Sequence, residues 1–351
     1  MRGSVANIQM EKVKPLYSLI TAMLVVVGVY LLTGLGDSYD QQLIALCCIY
    51  IVLVSSLNIV VGLAGLVSIG HQAFFGLGAY VSALLTIKAD IPSYVGVLAA
   101  MVAAGPIAWA VGKITLRLRA AFFVIATLAV AEIFRSVVIN SVEFTGGPNG
   151  LPGVPPLEIP GGLIFLSAYE ALIPLSVIAA LCVLACRGIS LSSFGSKLRA
   201  MRENEELAKS LGINTPNLAS AAFVVSASMA SMAGALYAHF VGFISPDLFS
   251  FSLMVTLLLM LVAGGIGTVM GPVVGAVAFT LLPEVLRFSD QWRLVLYGAA
   301  LMALARLLPE GLWGGVTRLR DHLLTSRADI NGNASGRGTS ETHPVPEGVE
   351  R

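Results

Sequence analysis

RGISLSSFGSKLRAMRENEELAKSLGINTP, residues 187–216, is the one long polar interval between apolar segments of a 351-residue chain. Arg187, Lys197, Arg199, Arg202 and Lys209 stand in it with Glu203, Glu205 and Glu206. Leu198, Met201, Ala208 and Leu211 recur at roughly helical spacing. The interval therefore reads as a short helix over 196–211 with one apolar edge. Ser196 is placed to cap its start, Gly212 to stop it, and Asn214 and Pro216 follow as breakers. Arg199–Glu203, Arg202–Glu206 and Glu205–Lys209 stand four apart, which predicts pairs worth about 0.2–0.5 kcal/mol each. A loop that merely joins two spans needs no such order. The interval reads as a place where something docks.

Composition names the solvent around it. The chain is 56% hydrophobic and 12% charged, with a mean hydropathy of +0.86. Soluble domains carry about 25% charged residues, so lipid is the medium. A net charge of +1 gives no sign of nucleic-acid binding. Cys47, Cys48, Cys182 and Cys186 all lie inside apolar runs. No His or second Cys pair accompanies them, so they read as small buried hydrophobes and not as metal ligands. The first apolar run lacks a small-residue cleavage site and is long enough to remain in the bilayer.

Apolar runs of membrane-crossing length recur along the chain. They are 16–32, 43–61, 71–87, 93–112, 120–139, 163–186, 218–243, 251–263, 272–282 and 294–308. The eighth and ninth are short and flank a glycine-rich break, so they read as interrupted helices. With the first residue inside and about ten crossings, only Lys88, Arg287 and Arg293 of the 21 cations fall outside, and Arg135 lies within a span. That asymmetry fits the positive-inside rule. Residues 1–15, the interval 187–217 and the polar tail 311–351 are then cytoplasmic, the tail largely disordered for want of any periodicity. The outer loops 140–162 and 242–250 are dense in Pro and Gly and predict tight turns, not helices. The fold class is all-α integral membrane, with about ten transmembrane helices and glycine-rich broken segments.

Two such segments could carry function. Gly62-Leu-Ala-Gly65-Leu-Val-Ser68-Ile-Gly70-His71-Gln72 leads into a span containing Gly76 and Gly78. Broken backbone at membrane depth survives where it is buried in protein or lines a watery cavity, and it often marks a translocation path. Close helix packing by glycine is the other reading. His71 and Gln72 fit hydrogen-bonded packing groups better than proton carriers. The second segment, 263–276, holds Gly264, Gly265, Gly267 and Gly271. It reads as an echo of the first, as an internal repeat would produce. Glu132 and Arg135 stand three apart in the fifth span and can pair; they line a path or gate, or they fix helix orientation. Arg135 also lies near enough to the span's end to snorkel. The candidate path residues are thus Gly65, Ser68, Gly70, His71, Gln72, Glu132, Arg135, Gly265 and Gly267. A phosphate loop, metal-spaced His/Glu pairs and a nucleophile elbow are all missing. The spans hold too few acidic groups for an ion-coupled carrier, and no His, Asp and Glu cluster suggests a membrane enzyme.

Four stretches carry a family resemblance: LNIVVGLAGLVSIGHQAFFGLGAY (57–80), LRLRAAFFVIATLAVAEIFR (116–135), TGGPNGL (145–151), and the run from RAMRENEELAKSLGIN (199–214) to GGIGTVMGPVVGA (264–276). Together they resemble the LivM-type permease subunits of bacterial ABC importers for branched-chain amino acids. Permeases for urea and short amides look similar and stand as the alternative, ahead of a secondary carrier. The resemblance implies a non-enzymatic inner-membrane subunit with both termini cytoplasmic, working by ATP-driven alternating access. Its implied partners are two ABC ATPases that bind the ATP and Mg, a second homologous permease, a periplasmic substrate-binding protein received by loops 140–162 and 242–250, and the lipid bilayer. Glu206-Leu207-Ala208 to Gly212 resembles the EAA-x-x-x-G loop that docks the ATPase, with Leu207 where alanine is usual. Arg199, Arg202, Glu203, Glu205, Glu206, Ala208, Leu211 and Gly212 are the implied docking residues, on a helix seated in a groove.

Overall fold

The computed structural model describes residues 38–285, apart from 119 and 162, together with 311–314. The first and tenth apolar runs, the N-terminal segment and most of the tail lie outside the described residues. Among the described residues, six helices are long and apolar enough to cross a membrane, and two shorter apolar helices follow. The long ones are α1 (Ser38–Asn58), which runs on through a π turn at Ile59–Leu63, α2 (His71–Ala89), α3 (Ser93–Thr115), α4 (Ala120–Asn140), α5 (Ala168–Leu191) and α8 (Thr215–Val241). Between α5 and α8 lie α6 (Ser193–Glu203) and α7 (Glu205–Ser210). The short apolar pair is α9 (Phe251–Gly264) and α10 (Gly271–Val285).

Helix α8 is the axis of the bundle and packs on α1, α2 and α3. Its buried face is built from small residues, among them Ala222, Ala227, Ala230, Ala233 and Gly234. Lipid gives no hydrophobic drive between spans, so close van der Waals approach has to hold them. At the α2 seam the approach is as close as backbones allow. A Cβ on Gly234 would run into the Phe75 carbonyl, and one on Gly78 into the Ser231 carbonyl. Buried hydroxyls add glue: Ser231 Oγ donates to Ala100 O at 2.8 Å and Ser226 Oγ to Ser56 O at 2.6 Å. The four cysteines are free and buried; Cys186 Sγ reaches Ser55 O at 3.7 Å.

Helix α9 has 14 residues, about 21 Å at 1.5 Å per residue, short of the ~30 Å hydrocarbon core. Gly264 lies against Gly271, and Gly275 against Met260, so α9 and α10 form an antiparallel pair around the break between them.

Four sequence expectations change. The polar interval is two helices and not one, because Asn204 takes extended backbone (φ −156°, ψ 103°) and its Oδ1 accepts from Leu207 N at 2.9 Å, starting α7. The cap of α6 is Ser192, which accepts from Gly195 N at 3.3 Å, while Ser196 bonds back to Ser192 O. Asn214 caps α8 and Pro216 sits in its first turn, so both start a helix instead of breaking one. Gly212 ends the interval as expected, with φ +81°. The sixth span also begins later than 163. Leu163–Ile164 is a strand, and the reciprocal capping box of Ser167 and Glu170 sets the start of α5.

At the C-terminal end of α8 the loops 140–162 and 242–250 meet. Strand β1 (Leu151–Pro152) pairs antiparallel with β4 (Phe243–Ile244), while β2 (Glu158–Ile159) pairs with β3 (Leu163–Ile164). Loop 140–162, expected to hold turns and no helix, has an α-helical turn at Val142–Thr145 and a 3-10 turn at Gly147–Asn149. His239 ties this platform to the bundle: its Nδ1 donates to Pro155 O at 2.7 Å, leaving Nε2 to accept from Ser82 Oγ at 2.7 Å.

Candidate functional site

The apolar edge of the polar interval is used by the chain itself. Leu198 and Met201 are buried with Ile59, Leu63, Leu218 and Ala222 in a second, small core, and Ala208 is buried as well. Leu211, expected on that edge, is 71% exposed, and Leu207 is 57% exposed. The break at Asn204 rotates α7 relative to α6, so an edge drawn through an unbroken helix does not survive. The outward face of the corner therefore carries Glu203, Glu206, Leu207 and Leu211.

Two of the three expected charge pairs do not form, and the break accounts for one of them. Arg202 and Glu206 no longer share a helix. Lys209 forms ion pairs with Glu205 at 3.1 Å and with Glu206 at 3.2 Å. Hydrogen bonds that Lys209 donates to Glu205 and then to Glu206 raise its pKa above the ordinary value. Arg199 turns back to Ser190, with Nη1 2.8 Å from its carbonyl oxygen. Arg202 remains exposed, but its guanidinium reaches back to the first glycine segment, where Nη1 donates to Gly62 O at 2.5 Å.

Arg202 thereby reaches both glycine-rich segments. Gly65 (φ +72°) passes so close that a Cβ would lie 2.6 Å from Arg202 Cγ, and at Gly267 (φ +79°) one would lie 2.8 Å from Arg202 Nη1. Positive φ and a crowding side chain together require glycine at both positions. The two segments are stitched to each other by Asn58. Its Oδ1 accepts from Gly267 N and its Nδ2 donates to Thr268 O, both at 2.8 Å. Gly311 joins them, since a Cβ there would sit 2.6 Å from Gly265 N. Asn58 was missed by the sequence reading. The available signal was an amide inside an apolar run, which a bilayer span tolerates only with a partner.

Just beyond this junction lies a buried polar patch. Ser56 Oγ donates to Leu53 O at 2.6 Å, which leaves His71 Nε2 to donate to Ser56 Oγ at 2.8 Å. Ser68 is buried, and Gly70 is pressed against the Thr127 carbonyl while Thr127 Oγ1 accepts from Ile69 N at 3.1 Å. Gln72 is fully buried, yet neither its Oε1 nor its Nε2 has a hydrogen-bond partner among the described residues. Unpaired buried groups cost about 1–3 kcal/mol each. Gln72→Met keeps the length and removes both, so it is expected to raise thermal stability in detergent while lowering transport. A drop in melting temperature would mean that the amide is satisfied in the resting protein.

Glu132 and Arg135 are placed apart from this cluster. They pair weakly at 4.0 Å on a half-exposed face of α4, the least buried of the six spans. An open groove lined by Ile133, Ser136, Val137 and Asn140 surrounds Glu132.

Comparison with known proteins gives one consistent result. Residues 39–305 match the family described as the permease component of branched-chain amino acid transport systems. The chain is 31% identical over 289 residues to the high-affinity branched-chain amino acid transport system permease protein LivM of Escherichia coli K12, covering 76% of this chain and 68% of that protein. It is 30% identical over 286 residues to LivM of Salmonella typhimurium LT2 (75% and 67%). It is also 25% identical over 293 residues to LivH of Escherichia coli K12, a permease protein of the same named system (76% and 91%). No solved structure matches the chain.

Proposed function

Since the chain belongs to the family of permease components of branched-chain amino acid transport systems, we propose that it carries these amino acids inward as half of a paired membrane pore. It is a non-enzymatic subunit of the bacterial inner membrane. Two ABC ATPases bind ATP and Mg and seat on the outward face of α6–α7, on Glu203, Glu206, Leu207 and Leu211. A periplasmic binding protein delivers substrate to the platform at β1–β4. In this arrangement both termini lie on the ATPase side of a ten-pass fold, whose two glycine segments descend from an internal repeat.

The observation that carries the reading is the reach of Arg202 back from the corner. One cation links the docking corner to both glycine segments at once, so movement of α6 is delivered to the broken backbone beside His71 and Gln72. The face of α4 supports the paired pore. A charged side chain at mid-bilayer costs about 2.5–3.5 kcal/mol even on lenient scales, so exposed Glu132 and Arg135 call for protein or water opposite them. A second permease supplies that. Escherichia coli K12 has two permease proteins under one system name, and this chain is similar to both.

The test is reconstitution in proteoliposomes with the homologous permease, both ATPases, external binding protein and internal ATP. Uptake of labelled leucine, isoleucine or valine is expected only with the full set. Uptake of urea instead, or uptake by this chain alone without ATP, would overturn the reading.

A further inference from the structure

A cavity of 590 Å³ opens between the α6–α7 corner, the first glycine segment and the starts of α4 and α8. That lies within the ~300–1,000 Å³ of ordinary small-molecule sites. Most of its wall is apolar, including Leu66, Val67, Phe123 and Met201, and among the described residues it holds one cation, Arg202, and one anion, Glu205. Neither is saturated. Arg202 uses Nη1 on Gly62 O, and the described residues give its Nε and Nη2 no partner. Glu205 receives Thr215 Oγ1 and Lys209 on Oε1, while Oε2 receives nothing from the described residues.

One guanidinium, one carboxylate and an apolar wall match a free amino acid with a hydrocarbon side chain. Its carboxylate suits the planar fork of Arg202, its ammonium suits Glu205, and the side chain fills the lipophilic remainder. We propose that this cavity binds a zwitterionic branched-chain amino acid on the ATPase side of the membrane and that occupancy slows the transporter. The assignment rests on the permease reading above. Its consequence follows from geometry: a carboxylate held on the free Nε and Nη2 edge draws the guanidinium into the cavity and away from the Gly62 carbonyl, which loosens the link between docking corner and glycine segments. Imported product thereby acts as a brake on its own entry.

The experiment uses the complete transporter in proteoliposomes. Uptake with an empty interior is measured first; failure there refutes the permease reading and leaves the brake aside. ATP hydrolysis is then followed with millimolar leucine loaded on the ATPase side. It is expected to fall about fivefold or more, the usual scale of coupling between sites. Leucinol, lacking the carboxylate, 4-methylpentanoate, lacking the ammonium, and glutamate, with its charged side chain, are expected to leave it unchanged. Ala121→Trp, filling the cavity from its rim on α4, is expected to give hydrolysis that leucine no longer lowers. Should that variant fail to assemble, dialysis of labelled leucine against the wild-type complex without binding protein serves in its place, with displacement by leucine but not by leucinol expected. Equal inhibition by the analogues, inhibition surviving Ala121→Trp, or no leucine bound would each overturn the proposal.

Discussion

Arg202→Ala is expected to cut amino-acid uptake by roughly 10- to 100-fold while the ATPases still co-purify and still hydrolyse ATP. The magnitude follows from the bond it removes, since a hydrogen bond to a charged group is worth about 1.5–3 kcal/mol. The dissociation of transport from docking follows from where the side chain points. Arg202 donates to Gly62 O and crowds Gly65 and Gly267, whereas the outward face of the corner is made by Glu203, Glu206, Leu207 and Leu211. A charge swap of Arg202 with Glu206 is not expected to restore function, because the partner of Arg202 is a backbone carbonyl. Arg202→Lys, which retains a donor, is expected to keep part of the activity. Loss of the ATPases from purified Arg202→Ala complexes would show that this arginine belongs to the docking face after all.

Gly234→Val is expected to yield little folded protein. A Cβ at Gly234 meets the Phe75 carbonyl, a backbone atom that cannot swing aside. Helix α2 would have to move away from α8, undoing the matching contact of Gly78 with Ser231. Overpacking costs about 1–3 kcal/mol where side chains can adjust, and here the obstacle is main chain. The control is Gly188→Ala, at a helical position with open space around it, expected to be neutral or stabilising by up to ~1 kcal/mol. Thermal unfolding and gel filtration in detergent decide. A Gly234→Val protein as stable as wild type would contradict the close seam.

Much of the fold was legible from hydropathy alone. Eight of the ten apolar runs correspond to helices α1–α5 and α8–α10, and the polar interval lies between α5 and α8 as read. What escaped was set by single residues whose local chemistry outweighs periodicity. Asn204 sits at an interior position of the helical pattern but acts as a cap, and that one residue cancels the Arg202–Glu206 pair and exposes Leu211. Of the site residues, Gly65, Gly267 and Arg202 come together at one junction, with His71 and Gln72 just beyond it, while Glu132 and Arg135 stand on another face. The partner of Arg202 is 140 positions away in sequence, and the β1–β4 pairing joins two separate loops. No spacing rule reaches either.

The division of the polar interval at Asn204 also bears on the proposed docking. Helices of eleven and six residues are too short to persist alone in water, where about 12–15 residues is marginal. They hold their shape because Leu198 and Met201 of α6 sit on Ile59, Leu63 and Leu218, and Ala208 of α7 is buried. A motor subunit that recognises this corner thus recognises only a permease already folded in its bilayer, and a half-made or misinserted chain offers it nothing to engage.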